Sequence, residues 1–273
     1  MGLWSAQFSP DGRTIATVAW DKSAKLWDID VDQDPVTVTL APEAEAWALL
    51  PSGTVVAFGE TTDKTMVPTK TGPVRVIPYE DANKITLTAV SADGDWVVTS
   101  RQDTTAHIWD AVTGRSLASL EDHPAEITTI AVSQDKQFIL AGCRDGSMRI
   151  WDMTTGDAIG IVVQGKVAAV AISPDTRGFV VASGDQVITL RDMSTGAVLR
   201  TLDWKTAGPT AVAISPEGDR IAASGWMGLG TVWEASSGRP LVDLHGHIAA
   251  IFSIRFSPDG QRIVTAGWET VKL

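Results

Sequence analysis

The chain has 273 residues, 44% of them apolar, with 33 acidic against 22 basic side chains and a net charge of −11. That apolar share supports a packed core and excludes a disordered chain, while an acidic surface repels phosphate backbones and anionic lipid, so neither nucleic acid nor membrane is an expected partner. A single cysteine, Cys143, excludes an internal disulfide framework and suits a reducing compartment. The start, "MGLWSAQFSP", lacks the basic region and long apolar core of a signal peptide. No apolar run approaches transmembrane length, and the expected location is the cytoplasm.

A turn motif recurs down the chain. "FSPDG" ends at Gly12, "LPSG" at Gly53, "VSADG" at Gly94 and "VSQDK" at Lys136. "ISPDT" then ends at Thr176, "ISPEG" at Gly218 and a second "FSPDG" at Gly260, the successive separations being 41, 41, 42, 40, 42 and 42 residues. A second series keeps step with it: Trp27, Thr69, Trp109, Trp151, Arg191 and Trp233. A third consists of "TG" or "SG" pairs ending at Gly72, Gly114, Gly156, Gly196 and Gly238. Three markers at one pitch divide the chain into repeats at about 1–40, 41–80, 81–122, 123–164, 165–204, 205–246 and 247–273.

Within a repeat the segments read as strands. In the fourth, "ITTIAVS", "FILAGCR", "MRIWDM" and "AIGIVVQ" are short, rich in branched residues and separated by "QDK", "DGS" and "TTGD". No stretch holds a helical period over three turns. A four-stranded sheet of this size cannot bury both faces alone. Seven of them around an axis cover one another, which predicts an all-β, seven-bladed propeller of four-stranded antiparallel blades.

These residues resemble the WD-repeat β-propeller family, in a bacterial style of repeat, over essentially the whole chain. Trp27-Asp28, Trp109-Asp110 and Trp151-Asp152 match its name-giving pair, and Arg191-Asp192 and Trp233-Glu234 are degenerate versions. The resemblance implies structural roles for His123 and His247 before the first strand, and for a turn aspartate six positions before the Trp, at Asp21, Asp103, Asp145 and Asp185. It also implies a strand hydroxyl linking His and Trp. Thr17 and Thr99 supply one, whereas Ala141 stands at that place in the fourth repeat. The second repeat, with Thr69 and Lys70 for Trp and Asp, is the weakest.

The last repeat stops at Leu273, one residue before a Trp-Asp pair would fall. The expectation is a chain clipped inside an incomplete last blade, with a natural three-stranded ending as the alternative. Side-chain packing from residues such as Leu3, Trp4 and Ile251 would then hold the seam to the first blade. The open edge would favour self-association.

Candidate chemistry is sparse. "DLHGH" carries His245 and His247, but His247 reads as the repeat's structural histidine and no metal is expected. "DIDVDQD", Asp28 to Asp34, alternates carboxylates like a calcium loop but lacks its glycine and closing glutamate. Cys143 has no histidine in sequence reach, and "GWMGLG" has no lysine or following helix. No catalytic residues, cofactor or metal are expected, and the chain is not expected to be an enzyme.

What remains is surface. Positions before the turn aspartate, and the second position of each first strand, open on one rim of such a propeller. Aromatic residues at these positions gather on repeats six, seven and one: Trp226, Phe252, Trp268, Trp4 and Trp20. Repeats three to five offer small or polar groups and Arg144. Exposed aromatics of this kind anchor interfaces, the alternative being that they pack flat into the seams. The expected function is a non-catalytic interaction scaffold or regulatory module that binds other proteins or peptides through Trp4, Trp20, Trp226, Phe252, Trp268 and Arg144. The alternative is a peptide- or small-ligand-sensing propeller joined to a separate catalytic domain such as a kinase or nucleotide hydrolase.

Overall fold

The structure, a computed structural model, describes residues 3–9, 12–19, 23–30, 36–39, 44–50, 55–59, 67–69, 72–78, 85–102, 104–163, 165–205, 208–268 and 270–273. Between residues 36 and 78 the description is of the backbone, Leu50 excepted.

Local chemistry sets the strand boundaries. In the "SPDG" turns the serine Oγ accepts the amide that opens the next strand and donates to the turn aspartate. Phe138 N lies 2.9 Å from Ser133 Oγ, and Ser133 Oγ lies 2.6 Å from Asp135 Oδ1. A residue with positive φ closes the turn, as at Gly94 (φ 79°) and Gly218 (φ 76°). In the later turn of repeats three, four and five the aspartate at the second place of the Trp-Asp pair does the capping. Asp152 Oδ1 accepts Thr154 N at 2.8 Å and Thr155 N at 3.2 Å, and Asp110 and Asp192 do the same in their own repeats.

The resulting fold is an all-β propeller. Repeat one forms β1 (Leu3–Phe8), β2 (Thr14–Ala19), β3 (Ser23–Asp28) and β4 (Val36–Thr39), paired antiparallel in that order. Repeat two holds β5 (Ala44–Leu49), β6 (Val55–Gly59), β7 (Val67–Thr69) and β8 (Gly72–Pro78). Repeat three forms β9 (Ile85–Val90), β10 (Trp96–Arg101), β11 (Ala106–Asp110) and β12 (Ser116–Leu120). Repeat four gives β13 (Ile127–Val132), β14 (Phe138–Cys143), β15 (Ser147–Asp152) and β16 (Ala158–Val162). Repeat five gives β17 (Val167–Ile172), β18 (Gly178–Ser183), β19 (Ile188–Asp192) and β20 (Val198–Leu202). Repeat six gives β21 (Pro209–Ile214), β22 (Arg220–Gly225), β23 (Gly230–Glu234) and β24 (Pro240–Leu244). Repeat seven forms a three-stranded sheet of β25 (Ile251–Phe256), β26 (Ile263–Gly267) and β27 (Val271–Lys272).

The expectation of seven regular blades is corrected. Six repeats make blades of three or four antiparallel strands in sequence order, but repeat two pairs in the order β5-β6-β8-β7, with β6 and β8 parallel. The physical reason lies in Thr69 and Lys70. They stand where other repeats have the Trp that fills a seam and the Asp that caps the following turn. Without that pair in the sequence, β8 takes the place beside β6.

First strands neighbour one another around the axis, β9 on β13, β13 on β17, β17 on β21, β21 on β25 and β25 on β1. The core is therefore a set of seams. Val98, Ile108 and Leu120 of blade three meet Ile127, Ile139 and Ala141 of blade four. Between blades four and five, Leu140, Met148 and Ile150 meet Val167, Phe179 and Val181. The seam of blades seven and one holds Ala6, Phe8 and Ile15 against Val264 and Ala266. Packing is not its only tie, since Ser253 Oγ donates to the Ala6 carbonyl at 3.2 Å. Ile251 is buried, whereas the side chains of Leu3 and Trp4 lie outside the described residues.

Candidate protein-interaction surface

Every first strand carries a bulge at its second residue. The ladder skips Trp4, Glu45, Thr86, Thr128, Ala168, Thr210 and Phe252, each time between the neighbours that pair with the second strand. A bulge re-aims the chain locally, so these positions form a ring where the inner strands begin. The threonines in the ring do not offer their hydroxyls to a partner. Thr128 Oγ1 donates to Gly142 O at 3.1 Å and also reaches Val167 O of the next blade. Thr210 Oγ1 donates to Ser224 O at 3.0 Å and reaches Ile251 O of the next blade. Thr86 Oγ1 meets Ser100 Oγ at 2.9 Å. At these three positions the ring consists of hydroxyl staples on the inner strands, and Phe252 replaces a staple with an apolar ring.

Phe252 does not stand alone. Its ring is edge-on to Trp226 at 6.0 Å between centroids and tilted against Trp268 at 6.0 Å. Trp226 sits in the β22–β23 turn and Trp268 in the β26–β27 turn, and the two remain 59% and 53% exposed. Trp226 leans on Gly208, where a Cβ would lie 3.3 Å from Trp226 Cδ1. Rings packed on each other yet half open to water form an apolar ridge rather than seam filling.

Two further exposed apolar residues lie on the same turn as Trp226 and on the segment packed against it. Met227 is 63% exposed and Ile248 is 94% exposed. The turn carrying Met227 lies on the segment carrying Ile248, because a Cβ on Gly228 (φ 70°) would fall 2.8 Å from the Ala249 carbonyl oxygen and nearer still to that of His247. Sequence reasoning passed over both. Their signal was that Met227 replaces the turn aspartate, and that an isoleucine directly follows the Gly-His pair.

Trp20 lies outside the described residues, as does the Trp4 side chain. Arg144 stands on blade four, away from the ridge, with its Nε 2.9 Å from Glu126 Oε2.

The structural repeat residues divide by hydrogen bonding. Trp27 and Trp109 donate their indole N–H to Thr17 and Thr99, each at 2.9 Å. His247 Nε2 meets Thr265 Oγ1 at 2.8 Å, and His247 Nδ1 meets Thr270 Oγ1 at 3.0 Å. Asp145 accepts the amide of Ser147 at 2.9 Å, and the hydroxyl and amide of Ser147 hold its carboxyl below the usual range. A Cβ on Gly165 would press on the Asp185 carboxylate, 3.1 Å from Cγ. Trp233 is fully buried beside Trp204. Asp21 and Asp103 lie outside the described residues. Among the described residues no cluster of three or more His, Cys, Asp or Glu could hold a metal, and no helix is long and apolar enough to cross a membrane.

Blade four is left short of bonds. His123 is buried 6.1 Å from the Trp151 ring, and neither of its nitrogens nor Trp151 Nε1 has a hydrogen-bond partner among the described residues. Burial holds the His123 pKa below the usual imidazole value, so the ring is neutral. Ala141 occupies the place of Thr17 and Thr99, pairing with β15 two residues from Trp151 in the same register. Ala141→Thr is expected to raise the urea midpoint, by a stabilisation of about 1 kcal/mol, because it gives two orphaned groups a common partner. A lowered midpoint would show that the added methyl and hydroxyl do not fit.

The comparisons point one way. The family model described as WD domain, G-beta repeat matches residues 1–28, 74–110, 114–152 and 238–273. The chain is similar to Eukaryotic translation initiation factor 3 subunit I of Scheffersomyces stipitis, 27% identical over 138 residues, which is 44% of this chain and 39% of that protein. The protein of the same name from Candida albicans is 26% identical over 138 residues, with the same coverage. The match thus spans about two-fifths of the length of these curated relatives.

Proposed function

We propose, from the premise that this chain belongs to the WD40 family (WD domain, G-beta repeat), that it is a non-catalytic scaffold that binds a protein or peptide partner on the ridge of Trp226, Phe252 and Trp268. The observation that carries this reading is the ridge itself. Phe252 packs against both Trp226 and Trp268, the two tryptophans are more than half exposed, and the neighbouring Met227 and Ile248 are exposed as well. Apolar surface of this size is costly in water, and aromatic side chains in such clusters supply most of an interface's energy. The net charge of −11 supports a protein rather than nucleic acid or an anionic membrane as the partner. The yeast relatives are by name subunits, which supports a role within an assembly. The lone Cys143 is buried and asks for no oxidising compartment, in keeping with a cytoplasmic location.

The test uses residues that the repeat itself supplies elsewhere. Phe252→Thr restores the hydroxyl seen at Thr128 and Thr210, and Trp268→Gln copies Gln102 at the corresponding turn. Peptides selected from a displayed library on the parent protein should bind the double variant at least ~30-fold more weakly, the effect of losing over ~2 kcal/mol of anchor energy. The melting temperature should change little. Equal peptide binding by parent and double variant would refute the ridge as the binding surface.

A further inference from the structure

The inner strands carry a second asymmetry, below the rim. Pairing with the second strand puts Gln7, Ala89, Ala131, Ala171, Ala213 and Arg255 at equivalent positions, opposite Ala16, Val98, Leu140, Val180, Ala222 and Val264. Where alanine stands here it packs at the narrow inner end of a seam, as Ala89, Ala131 and Ala171 do. Inner strands converge on the axis, and a methyl group is what fits there. Arginine does not, so its side chain must leave the seam for the central channel.

The structure agrees. Arg255 is solvent-exposed, yet burial lowers its pKa below the usual guanidinium value. Both hold for a side chain that touches solvent only inside a channel walled by protein. Its one hydrogen bond runs from Nη1 to the Ile254 carbonyl at 2.8 Å, and it makes no ion pair among the described residues. The other donors of the guanidinium fork have no partner among the described residues. Gln7, also exposed, holds the same place on the adjoining blade, where Ser253 ties the two inner strands together.

An enclosed cation with no ion-pair partner among the described residues is a cost to the fold, and alanine at this place in five other repeats (Ala48, Ala89, Ala131, Ala171 and Ala213) shows that the architecture does not require it. We infer that Arg255, with Gln7 beside it, forms an oxyanion site in the central channel, taking a carboxylate or phosphate that enters from the aromatic rim. Guanidinium binds such groups through paired N–H donors, and the low dielectric of an enclosed site strengthens the contact. Depth sets the reach. Arg255 lies three residues along β25 from Phe252, roughly 10 Å at ~3.3 Å per residue, so a small anion or the acidic side chain of a bound peptide can span it.

Arg255→Ala tests this without threatening the fold, since it installs the residue that five other repeats carry at this place. Inorganic phosphate at low ionic strength should broaden its phosphorus resonance with the parent protein, and at least tenfold more of the alanine variant should be needed for the same effect. A Glu-Glu-Glu tripeptide, titrated by calorimetry, is the second arm. Binding of phosphate alone to the parent assigns the site to a free anion, and preferred binding of the tripeptide assigns it to a partner's acidic side chain. Either result, lost in Arg255→Ala, supports the site. Parent and variant behaving alike in both arms would overturn it. Because Phe252 and the tryptophans are untouched, this outcome is independent of the rim's role.

Discussion

Trp233→Ala is expected to lower the stability of the chain by about 3–5 kcal/mol, the largest effect of any single truncation considered. Trp233 is 0% exposed and is the largest fully buried side chain among the described residues. It fills the seam of blades five and six against Val180, Ile188, Leu202, Trp204 and Ile221. Packing rather than hydrogen bonding is its contribution, because Trp233 Nε1 has no partner among the described residues. Trp233→Phe should therefore cost far less, since it forfeits area but no bond. Trp27, at the same place in repeat one, is 38% exposed, and Trp27→Ala should cost well under half as much. Urea unfolding followed by circular dichroism measures all three. Equal losses for Trp233→Ala and Trp27→Ala would show that burial does not set the cost.

That contrast marks the limit of what the sequence could say. Turn chemistry is local, and the recurring serine turns, complete with aspartate and glycine in repeats one, three and seven and degenerate in the others, announced the strands and the propeller without reference to neighbours. Burial of a repeat residue depends on the facing blade, so Trp27 and Trp233 look alike in sequence while one is partly open and the other sealed. The same holds for the bulge ring. Thr128 and Thr210 read as rim groups, yet their hydroxyls turn inward to carbonyls 14 and some 40 residues away. Repeat two failed for a different reason: without its Trp-Asp pair, its markers could not foretell a parallel β6–β8 pairing. The aromatic ridge was legible at Trp226, Phe252 and Trp268 because periodicity aligned them. Met227 and Ile248 escaped because each departs from the periodic pattern.

Gly142→Val is expected to destabilise the chain by about 3 kcal/mol, at the upper end for overpacking. Two effects oppose each other. Gly142 lies within β14 and has no positive φ, so a branched side chain suits the backbone and would by itself gain roughly 0.5–1 kcal/mol from lost unfolded-state freedom. Space decides against it. A Cβ there would lie 2.8 Å from Val167 Cβ and 2.9 Å from Thr129 Cγ2, and nearer still to Val167 Cγ1. Both neighbours are β-branched and stiff, Thr129 on the paired strand and Val167 on blade five, so neither can swing aside. Making room means parting the inner strands of blades four and five, and that opens the Thr128 bridge from Gly142 O to Val167 O. The clash therefore outweighs the backbone gain. If Val167 is the obstacle, Gly142→Val combined with Val167→Ala should be at least ~1 kcal/mol more stable than the sum of the single changes predicts. Strict additivity in that cycle would place the strain on Thr129 instead, within blade four, and leave the seam between the blades unaffected.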